Sequence, residues 1–286
     1  MQTTEFQNPN LADLDVDFLY HLGLDTSMDL EAMFGDVECV CMGGSPDRAK
    51  AFADKLAAEI GAEEPKPIGK TERCLLFKVG RVVVISHGMG MPSMLIFLHE
   101  LKKLLDYAGA KNYKFMRIGT SGGVGVEPGT VIVADEALNG KLEPQYDQVV
   151  LGNTRSWETK LDSGLSEEIL STRGDIRAQI GKTMGTDDFY EGQGRLDGAL
   201  NPGYNEADKM AYLKQAYDKG VRNIEMEAPA FAAFCLRAGI RGALVNVTLL
   251  DRLQGDQVTS TKEQLRQYSD NADEIVLKYL KTQLQK

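Results

Sequence analysis

Histidine and cysteine are scarce in this chain. His21, His87 and His99 are widely separated, and Cys39, Cys41, Cys74 and Cys235 are few for 286 residues. That spacing offers no zinc-type ligand cluster, and so few cysteines cannot staple a disulfide scaffold of this size. Cys39 and Cys41 fall on one face of an apolar stretch and read as core thiols. Positive charge is also in deficit, with 32 Lys and Arg against 42 Asp and Glu, a net charge of −10. This argues against a nucleic-acid partner but leaves room for a small anion met by local cations. No apolar run approaches the roughly 18 residues of a membrane span. The opening MQTTEFQNPN carries no basic, apolar leader. A cytoplasmic protein without membrane association is the expectation. Repeats and linkers rich in Pro, Ser or Gly are missing too, so residues 1–286 are expected to form one domain, with residues 1–36 an irregular arm.

What is present alternates between strand and helix patterns. Residues 37–42 (VECVCM) form a short apolar run, and Gly43 and Gly44 follow. A helix follows, with Ser45 as N-cap and Pro46 at its first position. Residues 74–79 and 82–86 read as strands joined at Gly80-Arg81, and the run to residue 110 as a helix. Strands are expected at 113–118 and 130–134. Residues 139–163 read as loop, 166–180 as helix with Gly174 a weak point, and 183–187 as a short strand. Further helices are expected at 206–219, 228–238 and 261–284, and further strands at 223–227 and 242–250. The fold class is α/β, a mixed central sheet flanked by helices.

Four stretches carry chemistry. Residues 114–129 (KFMRIGTSGGVGVEPG) run from a strand into glycines and hydroxyls, with Arg117 just before the break. Such a strand end presents backbone N–H groups to an anion, and a guanidinium suits phosphate. The turn at 43–48 repeats this geometry. There Arg48 opposes the helix macrodipole, which points to an anion in front of it. The loop at 188–198 (DFYEGQGRLDG) combines Phe189, Gln193 and Arg195. An amide beside a guanidinium matches a planar imide edge such as that of uracil, and Phe189 can stack on the ring. Finally, Glu225 and Glu227 alternate on one strand beside an apolar helix. Two like charges brought in there call for donors, and vicinal sugar hydroxyls are such donors. By contrast Gly88-x-Gly90 lacks the third glycine and the following acidic residue of a dinucleotide fingerprint.

In this order HLGL at 21–24, GGSPDR at 43–48, SHGMGMPS at 86–93, RIGTSGG at 117–123, FYEGQGR at 189–195 and IEMEA at 224–228 make the chain resemble the uridine phosphorylases of the nucleoside phosphorylase-I family. EGQGRLDGAL and the RIGTSGG spelling resemble the eukaryotic-type branch. The resemblance runs from Tyr20 to the last helix and implies a three-layer α/β/α sandwich with a distorted, partly barrel-like mixed sheet. It implies reversible phosphorolysis of uridine to uracil and ribose 1-phosphate, a pentosyl transfer in pyrimidine salvage. Inorganic phosphate is then a co-substrate and no cofactor is needed. Gly44, Arg48, Arg117 and Thr120 would hold phosphate, with Arg73 supplied by the neighbouring subunit. Glu227 and Met226 would meet the ribose, and the neighbour's His21 its 5′-hydroxyl. Phe189, Gln193 and Arg195 would bind the base, with Leu249, Leu250 and Arg252 bordering the pocket. Arg117, Gln193 and Arg195 would carry catalysis. A homodimer with shared active sites follows.

Two departures qualify this picture. Bacterial members place an acidic residue after the shared arginine and use it with a monovalent cation. Here Cys74 stands there, so no metal is expected. Purine-specific relatives carry an aspartate near Asp251, which keeps a purine substrate as an alternative, though Gln193 and Arg195 argue against it; a non-catalytic nucleoside-binding paralogue is a separate alternative. Arg117→Ala is the substitution expected to damage turnover most while sparing the fold.

Overall fold

The computed structural model describes residues 7–69 and 71–284. The first six residues of the arm, and with them most of the opening stretch MQTTEFQNPN, lie outside the described residues. Contacts divide the chain into two compact units, residues 1–116 with 237–240 and residues 117–236 with 241–286.

The first unit opens with a short antiparallel pair, β1 (Phe18–Leu19) and β2 (Leu24–Asp25), and a five-residue helix α1 (Leu30–Phe34). β3 (Cys39–Gly43) is almost wholly buried, and both of its cysteines are core thiols. It leads into α2 (Pro46–Ile60), where the Arg48 N–H donates to Ser45 Oγ at 3.4 Å. β4 (Leu76–Val79) and β5 (Val82–Ser86) form the expected hairpin, with Val79 opposite Val82, and β5 pairs in parallel with β3. α3 (Met91–Tyr107) buries Met94, Leu98, Leu101 and Leu105 at helical spacing.

β6 (Lys114–Gly123) starts in the first unit and runs into the second. β7 (Val131–Leu138) follows, and then a polar antiparallel hairpin, β8 (Gln145–Val150) with β9 (Asn153–Glu158). This hairpin replaces the loop expected at 139–163. Its sides are polar, so no apolar alternation announces it, and Tyr146 stacks on Trp157 across the ladder at 6.2 Å.

The helix expected over 166–180 stops early. α4 (Ser163–Ser171) ends at Thr172, whose hydroxyl donates to Ile169 O and Ile275 O. Residues 178 onward form β10 (Ala178–Gly185), paired in parallel with both β7 and β11 (Val221–Glu225). Two ladders outweigh the helical periodicity of that stretch. α5 (Glu206–Asp218) carries a capping box from Asn205 and Asp208. α6 (Ala228–Ala238), β12 (Arg241–Asp251) and α7 (Lys262–Leu284) complete the chain.

In the second unit the neighbour order is β11–β10–β7–β12–β6, and β11 pairs again with β6 at Asn223–Gly123 and Ile224–Gly122. The strands thus close on themselves, as the resemblance implied. The mixed α/β class with a mixed sheet is confirmed. Leu213 and Ala216 of α5 seal one side of this ring against Val124, Met184, Val221 and Ile224.

Candidate active site

Closure of the ring brings β6, β11 and β12 to one buried cluster. Arg117 on β6 is 3% exposed. Its Nη1 donates to Asn246 Oδ1 at 3.0 Å and pairs with Glu225 Oε2 at 2.9 Å, while Nη2 pairs with Glu227. Arg117 Nε and Asn246 Nδ2 are buried without a hydrogen-bond partner. Unspent donors in a buried site suit an oxygen-rich guest. Gly119 makes the geometry possible, because a Cβ there would stand 2.6 Å from Asn246 Oδ1 and 2.8 Å from Arg117 Nη1.

The two carboxylates divide their work. β11 ends at Glu225, and this carboxylate turns back on the chain. It accepts the Glu227 N–H at 3.0 Å and the Ala228 N–H at 2.8 Å, holding the first turn of α6. Burial pushes its carboxyl above the ordinary range; Arg117 pulls it down and the like charge of Glu227 pushes it up. Glu225 thus serves the backbone and Arg117, and Glu227 pairs with the same guanidinium. The fold would not be spared by Arg117→Ala either, since two buried carboxylates would lose their cation, a loss of about 3–5 kcal/mol.

The loop after β10 places the residues expected to read an imide edge. Gln193 is 3% exposed, and its Nε2 donates to Glu225 O at a long 3.4 Å. Arg195 is gripped by Asp197 through Nε at 2.8 Å and Nη2 at 2.7 Å. Its guanidinium lies over the Phe189 ring at 4.6 Å, so that face of the ring is covered by the arginine. Arg252 is 1% exposed, and its Nη2 donates to the Gln193 carbonyl at 2.8 Å while Nη1 is buried without a partner. Leu250 is buried and Leu249 half-buried on β12; Met226 and Thr120 are half-buried. Asp251 Oδ1 accepts the Gly125 and Leu253 N–H groups at 2.9 and 3.0 Å, so this oxygen serves a turn.

The other candidates lie in the first unit. Arg48 is half-buried in the first turn of α2, behind Gly44, whose Cβ would meet Gly88 O at 2.8 Å. Arg73 is exposed just before β4. His21 is not the solvated side chain of a loose arm: Nδ1 bonds Glu100 Oε1 at 2.6 Å, and the His21 and Leu22 N–H groups donate to the same carboxylate. Burial and the charge of Glu100 push the Cys74 thiol up to about 12, which makes it unreactive. Among the described residues no group of three or more His, Cys, Asp or Glu could hold a metal ion.

Sequence reasoning missed Asn246, Glu100 and Asp197, and the backbone bonds of Glu225. A polar residue inside the apolar run GALVNVTLL was a usable signal for Asn246. The other two needed the fold.

This geometry has relatives. The family model of the phosphorylase superfamily matches residues 38–281. Uridine phosphorylase 1 of Mus musculus is 45% identical over 98% of this chain and 93% of its own. The uridine and thymidine phosphorylase of Caenorhabditis elegans is 46% identical over 93% of this chain and 91% of its own. The crystal structure of a Schistosoma mansoni uridine phosphorylase with uracil superposes with a TM-score of 0.93 at 40% identity, covering 96% of this chain and 98% of that one. A purine nucleoside phosphorylase of Bacillus cereus reaches only 26%. The chain belongs to the phosphorylase superfamily. Within it, the chain stands with the uridine phosphorylases of the nucleoside phosphorylase-I family.

Proposed function

We infer that this chain is a pentosyltransferase that cleaves uridine with inorganic phosphate, giving uracil and ribose 1-phosphate. The observation that carries the reading is the Arg117 cluster, where a buried guanidinium is braced by two carboxylates and an amide beside the Gln193–Arg195 loop. Phosphate attacks C1′ as the glycosidic bond breaks. Gly44, Arg48, Arg73, Arg117 and Thr120 hold the phosphate, which turns a two-body encounter into a positioned one. Glu227 and Met226 contact the ribose, and His21 its 5′-hydroxyl. Negative charge spreads over the carbonyls of the departing base, where the Gln193 amide and Arg195 stabilise it as it grows. Such a donor is worth about 3–4 kcal/mol. Uracil leaves as a tolerable anion, so the reaction uses no protonating acid, no metal and no cofactor.

His21 and Arg73 act from the neighbouring subunit of a homodimer. Exposed Leu14, Val16, Phe18 and Tyr20 recur at every second position of the arm beside His21, and such an apolar stripe suits a subunit contact. No helix among the described residues is long and apolar enough to cross a membrane, in keeping with a cytoplasmic place in pyrimidine salvage. The engaged Asp251 oxygen weighs against a purine substrate. A non-catalytic paralogue is a real rival, because a Schistosoma mansoni relative named inactive uridine phosphorylase B is 39% identical.

Ultraviolet absorbance of uridine, thymidine and inosine, each with and without phosphate, separates these readings. Phosphate-dependent loss of uridine is expected. Loss without phosphate would mean a hydrolase, loss of inosine alone a purine enzyme, and no loss at all a binding protein.

A further inference from the structure

Lys209 is anomalous on α5. Lysines on a helix normally reach solvent, yet this side chain is 3% exposed. Its Nζ donates to Asp256 Oδ2 at 2.9 Å and lies 3.3 Å from the exposed Glu206. Asp256, in the turn after β12, has its side chain 8% exposed and gives its other oxygen to Arg252 Nε at 2.8 Å. Burial opposes the charge on Asp256, but Lys209 and Arg252 hold its carboxyl below the ordinary range. A buried lysine–aspartate–arginine chain is costly to assemble, and the established part of the site does not explain it.

What the chain reaches is the base loop. Arg252 Nη2 donates to the Gln193 carbonyl at 2.8 Å, and Arg195 Nη2 donates to the Asp256 carbonyl at 2.9 Å. Both imide-reading residues therefore hang on Asp256, one through Arg252 and one through its own backbone. The loop that carries them is irregular, with one short turn at Glu191–Gln193. Hydrogen-bond readout tolerates about 0.5 Å of error, and a loop alone rarely holds that.

We propose that Asp256, anchored to α5 by Lys209, is the positioning residue for base recognition, fixing Gln193 and Arg195 together. This rests on the assignment of those two residues to the base. The charge of the carboxylate is what holds Arg252 and Lys209, so an isosteric neutral residue loosens Gln193 through Arg252, and Arg195 through the turn that carries the Asp256 carbonyl, without emptying space. Neither Lys209 nor the Asp256 carboxylate bonds Gly44, Arg48, Arg73, Arg117 or Thr120 among the described residues, so the phosphate side should respond less than the base side.

Steady-state phosphorolysis of uridine by Asp256→Asn tests this. The KM for uridine should rise about tenfold while the KM for phosphate stays within twofold and the melting temperature within a few degrees. Lys209→Gln should give a smaller rise of the same kind, and the double variant should be no worse than Asp256→Asn, because both act through one carboxylate. Equal rises in both KM values, or a uridine KM unchanged in both variants, would overturn the proposal. If Asp256→Asn does not fold, the same comparison on Lys209→Gln decides alone. Wild-type protein that leaves uridine intact with phosphate present would instead overturn the functional reading, and this proposal with it.

Discussion

Arg117 and Arg195 are both buried guanidiniums in one unit of the molecule, yet they are held in opposite ways. Arg117 stands on a strand, and its braces come from two neighbouring strands and the turn after one of them: Asn246 from β12, Glu225 from the end of β11 and Glu227 just beyond it. The ladder spacing sets those distances, and few supports are needed. Arg195 stands on a loop. Asp197, two residues on, grips its fork, Asp256 accepts from it, and Lys209 and Arg252 hold Asp256 in turn. The lesson is that a functional side chain on regular structure inherits its precision from the backbone. One on a loop has to borrow it through a second layer of charge pairs.

The comparison can be broken at its stronger end first. Arg117→Ala should abolish measurable uridine phosphorolysis, a fall of more than about a thousandfold. It should also destabilise the fold by about 3–5 kcal/mol, because Glu225 and Glu227 lose their cation. Activity assays paired with urea unfolding check both halves, and a fully stable but inactive variant would show that the cluster is a site without a structural role. At the loop end, Gln193→Ala should lower kcat/KM for uridine by about a hundredfold or more. The protein should melt almost unchanged, since the one side-chain bond of Gln193 among the described residues is long, at 3.4 Å. Retained inosine cleavage in that variant would favour a purine enzyme. The tenfold shift in uridine KM for Asp256→Asn is the next step down, and it separates the second layer from the first.

The smallest effect concerns pH. Glu225 is buried, and its carboxyl titrates higher in the folded chain than in the unfolded one. Folding therefore takes up a proton. That stabilisation is complete below the ordinary glutamate range and is lost as pH rises through the raised value. Melting curves from pH 6 to pH 9 should show a fall of a few degrees, on the order of 1 kcal/mol, and Glu225→Gln should flatten it. A melting temperature that climbs with pH would mean that Arg117 and the two backbone N–H donors dominate burial. The tight bracing of the strand arginine would then be electrostatic from the start.

Most elements were legible. The hairpin at β4–β5, the Ser45-capped α2, the apolar α6 and the terminal α7 all announce themselves in local pattern, because burial, caps and turns act over a few residues. The β8–β9 hairpin was hidden, because its polar faces carry no alternation. The end of α4 was hidden too, because β10 is made by two parallel ladders to β7 and β11 rather than by its own propensity. The anchoring of His21 in the arm was hidden, since Glu100, its carboxylate partner, lies 79 residues away.

The sequence by itself determined which chemical groups exist and where along the chain they stand. The glycine–arginine turns, the amide and guanidinium of the 188–198 loop and the alternating glutamates are local facts, and their order was enough to find the family. Only the tertiary structure decided how the charges are shared out. It made Glu225 a servant of Arg117 and α6, brought Asn246 to Arg117 across 129 residues, and set Asp256 between Lys209 and Arg252. The reason is physical. Reading residue types needs only chemistry, but the partner of a buried charge depends on strand closure and long-range packing, which no local pattern encodes.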